Sequence, residues 1–219
     1  AEEHVEFEEV ERFGQTYLSF QDPHGMSLEI FESEVGTDQP VRIHGATLKV
    51  QNASEEKELL ELLGFEFEAE TGDRQRFRVP GSADYLDLVE SMEPRAIGGG
   101  GSVHHIAFRV SDDAEQAEWL SVLRSRGYQV SPVMDRNYFH SIYFRTPGGI
   151  LFELATDPPG MLIDESVEEL GSRLLLPPQY EKHRSQIEAV LDPLESPYKS
   201  VQLEGRGTTV VALHGTGGD

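Results

Sequence analysis

Two strand-like segments of the chain carry side chains that could bind a metal ion. The segment VHHIAFRV, residues 103–110, contains the adjacent histidines His104 and His105. The segment ILFELA, residues 150–155, holds Glu153 between apolar neighbours. Imidazole and carboxylate groups together are common ligands of first-row transition metals. If these side chains share one face of a sheet, they predict a metal centre.

The two-residue period of a β-strand assigns a face to each candidate side chain. In these two segments and in HSIYF, residues 140–144, apolar residues alternate with His105, Glu153 and Tyr143. The apolar sets, which should pack against helices, are Ile106, Phe108, Val110, Ile142, Phe144, Ile150, Phe152 and Leu154. One imidazole, one carboxylate and one phenol then face a shared concavity, which favours a metal site. A polar, solvated outer face of a sheet would give the same pattern.

The elements that must position these residues recur along the chain. Residues 12–30 align without gaps on 136–154, and IHGATLKV at 43–50 repeats the strand with the paired histidines. Matched pairs include Arg12 with Arg136, Pro23 with Pro147, Gly25 with Gly149 and Glu29 with Glu153. An amphipathic helix follows each first strand and ends at Gly64 or Gly127. This order of strand, helix and further strands predicts an α+β fold of repeated units.

The repeats also predict how the chain divides. The expected parts are the last two strands of a truncated unit at 1–33, a second unit at 41–92, a third unit with the candidate ligands at 102–157, a helical tail at 158–198 and a further segment at 199–219. A flexible connector, GGGGS, joins the second and third units. Both ends of the chain fall inside a pattern, so we expect a piece of a longer protein.

The composition restricts the partners and the compartment. The net charge is −22, from 40 acidic and 18 basic residues, which disfavours nucleic acid and anionic membrane surfaces. Because the acidic residues are dispersed, they are typical of a halophilic cytoplasmic protein. The absence of cysteine excludes disulfides, thiolate ligands and a cysteine nucleophile. No segment has the roughly 18 apolar residues that predict a membrane span.

Three strings in the sequence resemble a known family. GGGGSVHHIAFRV, SPVMDRNYFHSIYFRTPGGILFELATDPPG and LPPQYEKHRSQIEAVLDPL are similar to segments of the vicinal oxygen chelate superfamily, which contains glyoxalase I, bleomycin-resistance proteins and type I extradiol dioxygenases. The resemblance covers nearly all of residues 1–157, and hydroquinone-type ring-cleaving dioxygenases are the most similar group. It implies βαβββ modules that form open, curved mixed sheets, with a C-terminal helical extension.

The resemblance also implies roles for particular residues. The metal ligands of that family, a histidine in the first strand of the last module and a glutamate in its last strand, match His105 and Glu153. The residues around its metal match His104, Arg136 and Tyr143, which would handle protons and stabilise negative charge on oxygen. The third ligand is a histidine of a first module, which is absent here. The implied cofactor is Fe(II) or Mn(II), and the implied substrates are O2 and a hydroquinone- or catechol-like aromatic.

The second copy of the strand pattern differs at the ligand position. Gly45 stands where the last module has His105, so we expect a structural strand there. We also expect His44 to pack and Glu29, which has no partner histidine, to be a surface carboxylate. With two ligands only, this chain should bind metal weakly or not at all and should not cleave rings alone.

Several alternatives stay open at this point. One is a glyoxalase-type isomerase with nickel or zinc, and another is a metal-free binding protein of the bleomycin-resistance type. The end of the chain, TTVVALHGTGGD, is similar to the first strand and oxyanion loop of an α/β-hydrolase, but a loose glycine-rich end would look alike. Assembly into a homo-oligomer is possible, and His4, His24 and His140 are interpreted as surface residues.

Overall fold

A computed structural model describes residues 5–31, 43–93 and 102–191, which contain three β-sheets. The first sheet contains β1 (Phe7–Arg12), β2 (Gln15–Gln21) and β3 (Ser27–Phe31). The second contains β4 (Gly45–Val50), β5 (Glu66–Thr71), β6 (Arg74–Arg78) and β7 (Tyr85–Glu90). The third contains β8 (Ile106–Val110), β9 (Met134–Asp135), β10 (Phe139–Arg145) and β11 (Leu151–Pro159). The α-helices are α1 (Ala53–Leu62), α2 (Asp113–Ser125) and α3 (Arg184–Glu188).

The second and third sheets have the same topology. Their strand orders are β4-β7-β6-β5 and β8-β11-β10-β9, and in each the first strand runs parallel to the last while the other pairs are antiparallel. A helix follows each first strand and supplies the crossover that parallel pairing requires. The α+β fold of βαβββ modules with open mixed sheets is therefore confirmed.

The first sheet differs from the sequence prediction. Residues 1–33 were expected to hold two strands, but β1 adds a third, which pairs with β2 along its whole length. The sequence of β1, FEEVER, is acidic and lacks clear apolar alternation, so its pattern did not indicate a strand. Its turn is formed by Phe13 and Gly14, both with positive φ, as in a tight two-residue hairpin.

The tail also differs from its prediction. The amphipathic helix expected within 158–198 is reduced to α3, preceded by 3₁₀ turns at Met161–Ile163 and Pro178–His183. None of these three elements buries a side chain, so they lack the packing that normally stabilises a longer helix. The predicted hydrolase-like segment, 199–219, lies outside the described residues.

The helices start and end where their caps require. Asn52 caps α1 by accepting hydrogen bonds from the backbone of Ser54 and Glu55. Asp112 caps α2 in the same way, while Gly127, with a φ of 89°, allows the chain to leave that helix.

No helix in the described ranges is long and apolar enough to cross a bilayer.

One apolar core joins the second and third modules. Its buried residues are Leu48, Val50, Leu59, Leu60, Phe65, Phe77, Leu86, Leu88, Val110, Leu123, Ile142, Phe144, Phe152 and Leu154. Glu56 of α1 is buried against this core and accepts a hydrogen bond of 2.8 Å from the backbone of Gly148, in the turn before β11. The two modules therefore pack as one unit.

A buried charged network joins the first and second sheets. Asp87 of β7 has no exposed surface and accepts two hydrogen bonds from Arg76, of 2.8 and 2.9 Å, and one of 3.3 Å from Arg74. The Arg76 guanidinium lies between two rings, 3.9 Å from the centre of Phe13 and 3.6 Å from that of Tyr85. Burial alone would lower the pKa of Arg76, but its hydrogen bond to Asp87 raises it, so the guanidinium stays charged.

Glu29 belongs to this network, so its interpretation as a surface carboxylate was wrong. Its carboxylate accepts a hydrogen bond of 3.2 Å from Arg74 and one of 3.0 Å from Arg12. Only 22% of the side chain is exposed. Because Arg74 belongs to the second sheet and Glu29 to the first, this contact connects the two sheets. His44 packs edge-on against Phe31, with ring centres 5.1 Å apart, as expected.

We predict that Asp87→Asn lowers the free energy of unfolding by about 3 kcal/mol, because removal of one charge leaves buried guanidinium groups uncompensated. Urea unfolding followed by circular dichroism measures the loss. The matched control is Asp157→Asn, which breaks a pair with Arg109 that is largely exposed and should leave stability almost unchanged. Equal losses in the two variants would contradict the central role of Asp87.

Candidate metal centre

Parallel pairing of β8 with β11 brings the predicted ligands together. In the register of these strands Ala107 lies opposite Glu153, and His105 comes two residues before Ala107 on the same face. Nε2 of His105 lies 2.7 Å from Oε2 of Glu153. The two side chains therefore meet on one face of the sheet, as the alternation of apolar residues predicted.

Glu153 is buried and both of its oxygens have partners. Only 4% of its side chain is exposed. Oε1 accepts a hydrogen bond of 2.7 Å from the Tyr143 hydroxyl and another from the Ser141 hydroxyl, while Oε2 faces His105. Tyr143 is directly opposite Glu153 in the antiparallel register of β10 and β11. The carboxylate is thus oriented by neighbours on both adjacent strands.

His104 and Arg136 extend the cluster toward solvent. Nδ1 of His104 lies 2.7 Å from Nδ1 of His105, so one ring donates to the other. Nε of Arg136 donates to the Tyr143 hydroxyl at 3.2 Å, and its guanidinium carbon is 5.2 Å from the centre of that ring. The structure therefore brings all five predicted site residues into one connected group.

The surroundings of Tyr143 favour a role as a hydrogen-bond donor. Burial raises the pKa of Tyr143, and its hydrogen bond to the Glu153 carboxylate raises it further. The phenol therefore stays protonated at neutral pH and donates a hydrogen bond to Oε1. Ser141 is the residue of this cluster to which the sequence assigned no role, although alternation placed it on the same face.

In the described part of the chain, His140 and His24 have hydrogen-bond partners outside this cluster. His140, interpreted as a surface residue, is partly buried, and its Nδ1 lies 2.6 Å from the Asp113 carboxylate. That hydrogen bond raises the pKa of His140. His24 lies in an exposed turn whose backbone bonds to Asp22, and His4 is outside the described residues.

The pair of His105 and Glu153 fits a divalent metal ion. Ligand atoms about 2.1 Å from one ion and at right angles to each other lie about 3 Å apart, close to the separation of Nε2 and Oε2. One imidazole and one carboxylate are two of the three ligands of the facial triad that binds Fe(II). The described residues contain no group of three or more His, Cys, Asp or Glu side chains that could share an ion.

A metal at this position would also define the role of His104. If Nε2 of His105 binds the ion, its Nδ1 must carry the proton and donate to Nδ1 of His104. A ligating imidazole needs such a partner to fix its tautomer and its ring orientation. His104 is therefore suited to orient His105.

The second sheet carries a different version of the same arrangement. By register, Asp87 corresponds to Glu153, Arg76 to Tyr143 and Gly45 to His105. A β-carbon on Gly45 would lie 2.4 Å from the ring of Tyr85. The Tyr85 ring thus occupies the space that an imidazole would need, and Arg76 provides the positive charge beside the carboxylate.

A comparison of the sequence with models of protein families identifies one that matches residues 43–154, the Glyoxalase/Bleomycin resistance protein/Dioxygenase superfamily. The chain belongs to this superfamily. The match spans the second and third modules of the fold and includes both His105 and Glu153. The resemblance inferred from the sequence is therefore confirmed for the superfamily.

Relatives within the superfamily carry names of ring-cleaving enzymes. The chain is 44% identical over 205 residues to "Putative ring-cleaving dioxygenase MhqO" of Bacillus subtilis, covering 87% of this chain and 66% of that protein. It is 37% identical over 194 residues to "Chlorohydroquinone/hydroquinone 1,2-dioxygenase" of Sphingobium indicum, covering 78% and 60%. The chain thus spans less than two thirds of the length of either relative.

A solved structure supports the fold as well. The crystal structure of a protein described as a "putative dioxygenase" from Bacillus subtilis is 44% identical in sequence and has a TM-score of 0.79. The match covers 87% of this chain and 66% of that one.

We predict that His104→Ala weakens Mn(II) binding about 10-fold, because His105 then loses the partner that fixes its tautomer. Isothermal titration calorimetry measures the affinity. His104→Gln should retain part of it, since a side-chain carbonyl can still accept from Nδ1 of His105. His24→Ala is the control for the loss of an exposed imidazole. An unchanged affinity in His104→Ala would show that His104 has no orienting role.

Proposed function

We propose that this chain is part of a metal-dependent ring-cleaving dioxygenase that acts with O2 on hydroquinone- or catechol-like aromatics. The observation that carries this proposal is the 2.7 Å separation between Nε2 of His105 and Oε2 of Glu153 on one face of the third sheet. The names of the relatives, which include a hydroquinone 1,2-dioxygenase, support the substrate class. The acid-rich composition supports a halophilic, cytoplasmic protein.

The proposed cofactor is Fe(II), with Mn(II) as the alternative, bound by His105 and Glu153. A nitrogen and an oxygen ligand suit both metals. When bound, such a metal supplies the redox chemistry that lets O2 react with an aromatic diol. A third ligand, a histidine, is needed from outside the described residues to complete the triad.

Each residue around the two ligands has a role that follows from its contacts. Nδ1 of His104 accepts a hydrogen bond from Nδ1 of His105 and so keeps the proton on that nitrogen. Tyr143 orients Glu153 through its hydroxyl. Arg136 donates to the oxygen of Tyr143 and is itself exposed, so its positive charge can reach a substrate oxygen. A guanidinium in this position stabilises negative charge that develops on that oxygen.

The isomerase alternative fits the contacts less well. A glyoxalase-type site needs two histidines and two glutamates from paired modules. In the second sheet the corresponding positions hold Gly45 and Asp87, and the Asp87 carboxylate is taken up by Arg74 and Arg76. This sheet therefore has no carboxylate or imidazole to offer a metal at that position.

The ligand assignment is tested by anaerobic titration with Fe(II). We predict weak binding by the parent chain, no binding by His105→Ala or Glu153→Gln, and parent-like binding by the control His140→Ala, whose imidazole pairs with Asp113 away from the cluster. Iron that binds equally to all four proteins would contradict the assignment.

The need for a third ligand is tested by oxygen consumption. We predict that this chain, supplied with Fe(II) and hydroquinone, consumes little O2, because two protein ligands hold the metal weakly and leave the triad incomplete. An oxygen electrode measures the rate, with Glu153→Gln as the blank. Rapid hydroquinone-dependent uptake that Glu153→Gln abolishes would show that two ligands suffice.

A further inference from the structure

We propose that Ser141 is a positioning residue for Glu153. With Tyr143 it occupies Oε1 of the carboxylate, so that Oε2 alone meets the metal beside His105. This inference rests on the proposed function, since it concerns how Glu153 would bind the metal ion. It adds a residue whose role neither the sequence pattern nor the resemblance to the family indicated.

The two carboxylate oxygens of Glu153 have different partners. Ser141 has no exposed surface, and its hydroxyl donates to Oε1. The Tyr143 hydroxyl donates to the same oxygen at 2.7 Å. A carboxylate oxygen has two lone pairs, so two hydroxyl donors fill Oε1. Oε2 then remains as the oxygen that faces Nε2 of His105.

The antiparallel register of β10 and β11 places Ser141 beside this oxygen. The register shifts between Phe139 and Ser141, and from Ser141 onward it is regular, with Ser141 opposite Ala155. Beyond this shift, Tyr143 pairs with Glu153. Ser141 and Tyr143 lie two residues apart on one face, and both reach the same carboxylate.

The second sheet provides an independent observation of the same position. There Arg74 corresponds to Ser141, and it also donates to the buried carboxylate, at 3.3 Å from Oδ2 of Asp87. The position thus supplies a donor to the carboxylate in both modules. The difference is charge, because guanidinium groups neutralise Asp87 whereas neutral hydroxyls leave the negative charge of Glu153 available to a cation.

A carboxylate held through one oxygen has a consequence for catalysis. A metal ion held by a facial triad would have open positions for the substrates. A glutamate that bound through both of its oxygens would take up one of them. Ser141 and Tyr143 would prevent this by keeping Oε1 engaged, so the site would remain open to both substrates.

The test uses Mn(II) alone and three variants of Ser141. In Ser141→Ala, we predict that Oε1 joins the ion. The separation between the asymmetric and symmetric carboxylate stretching bands then narrows, as measured by infrared spectra with Glu153→Gln as the reference. Water-proton relaxation should report one fewer water on Mn(II). Ser141→Thr, which retains the hydroxyl, should restore both values, and Ser141→Cys, a weak donor of similar size, should change them less.

The matched control is Thr156→Val, which removes another buried hydroxyl from the same sheet. The Thr156 hydroxyl forms its hydrogen bonds with the backbone of His140 and Pro158, not with Glu153. We predict a comparable loss of stability in urea with parent-like infrared and relaxation values. These readouts separate coordination from a general weakening of the fold.

The possible failures are distinguishable. If Glu153→Gln binds Mn(II) as the parent does, both the metal site and the role of Ser141 are overturned. If Mn(II) binding depends on Glu153 but Ser141→Ala keeps parent-like spectra and bound water, the proposed function stands and only the role of Ser141 is overturned. The role of Ser141 is likewise overturned if Thr156→Val reproduces the infrared and relaxation changes of Ser141→Ala.

Discussion

A carboxylate buried inside a sheet must be compensated by its neighbours, and this constraint governs both complete modules. Leaving such a charge without donors or an opposite charge would cost more than a small domain can tolerate. Glu153 is compensated by two hydroxyls and an imidazole, whereas Asp87 is compensated by two guanidinium groups. The same strand topology therefore produces one arrangement that suits a metal ion and another that fastens two sheets together.

The difference between the two arrangements lies in how much charge remains. Around Asp87, the positive groups belong to the protein, and Arg76 is held between two aromatic rings. Around Glu153, the donors Ser141 and Tyr143 are neutral hydroxyl groups. Only the second kind of site leaves its carboxylate without a guanidinium partner, so repeated modules in one chain can present different groups at the same position.

The sequence predicted the parts of the structure that depend on local periodicity. Alternation assigned Glu153 and Tyr143 to one face, and the paired histidines identified the strand β8, which pairs with the strand of Glu153. The sequence did not predict β1, because its glutamates mask the alternation of apolar residues. It did not predict the short tail helix either, because helix length depends on packing. The sequence also failed to indicate the contacts of Glu29 and Ser141. Their partners lie in another sheet or on a neighbouring strand, and spacing along the chain does not show such pairs.

The close approach of Tyr85 to Gly45 has an evolutionary consequence. A histidine could not replace Gly45 by one substitution, because its β-carbon would collide with the Tyr85 ring, and loss of the ring alone would remove one of the two rings that hold Arg76. Both positions would have to change together before this module could place an imidazole beside its carboxylate. Positions 45 and 85 are thus expected to covary among relatives.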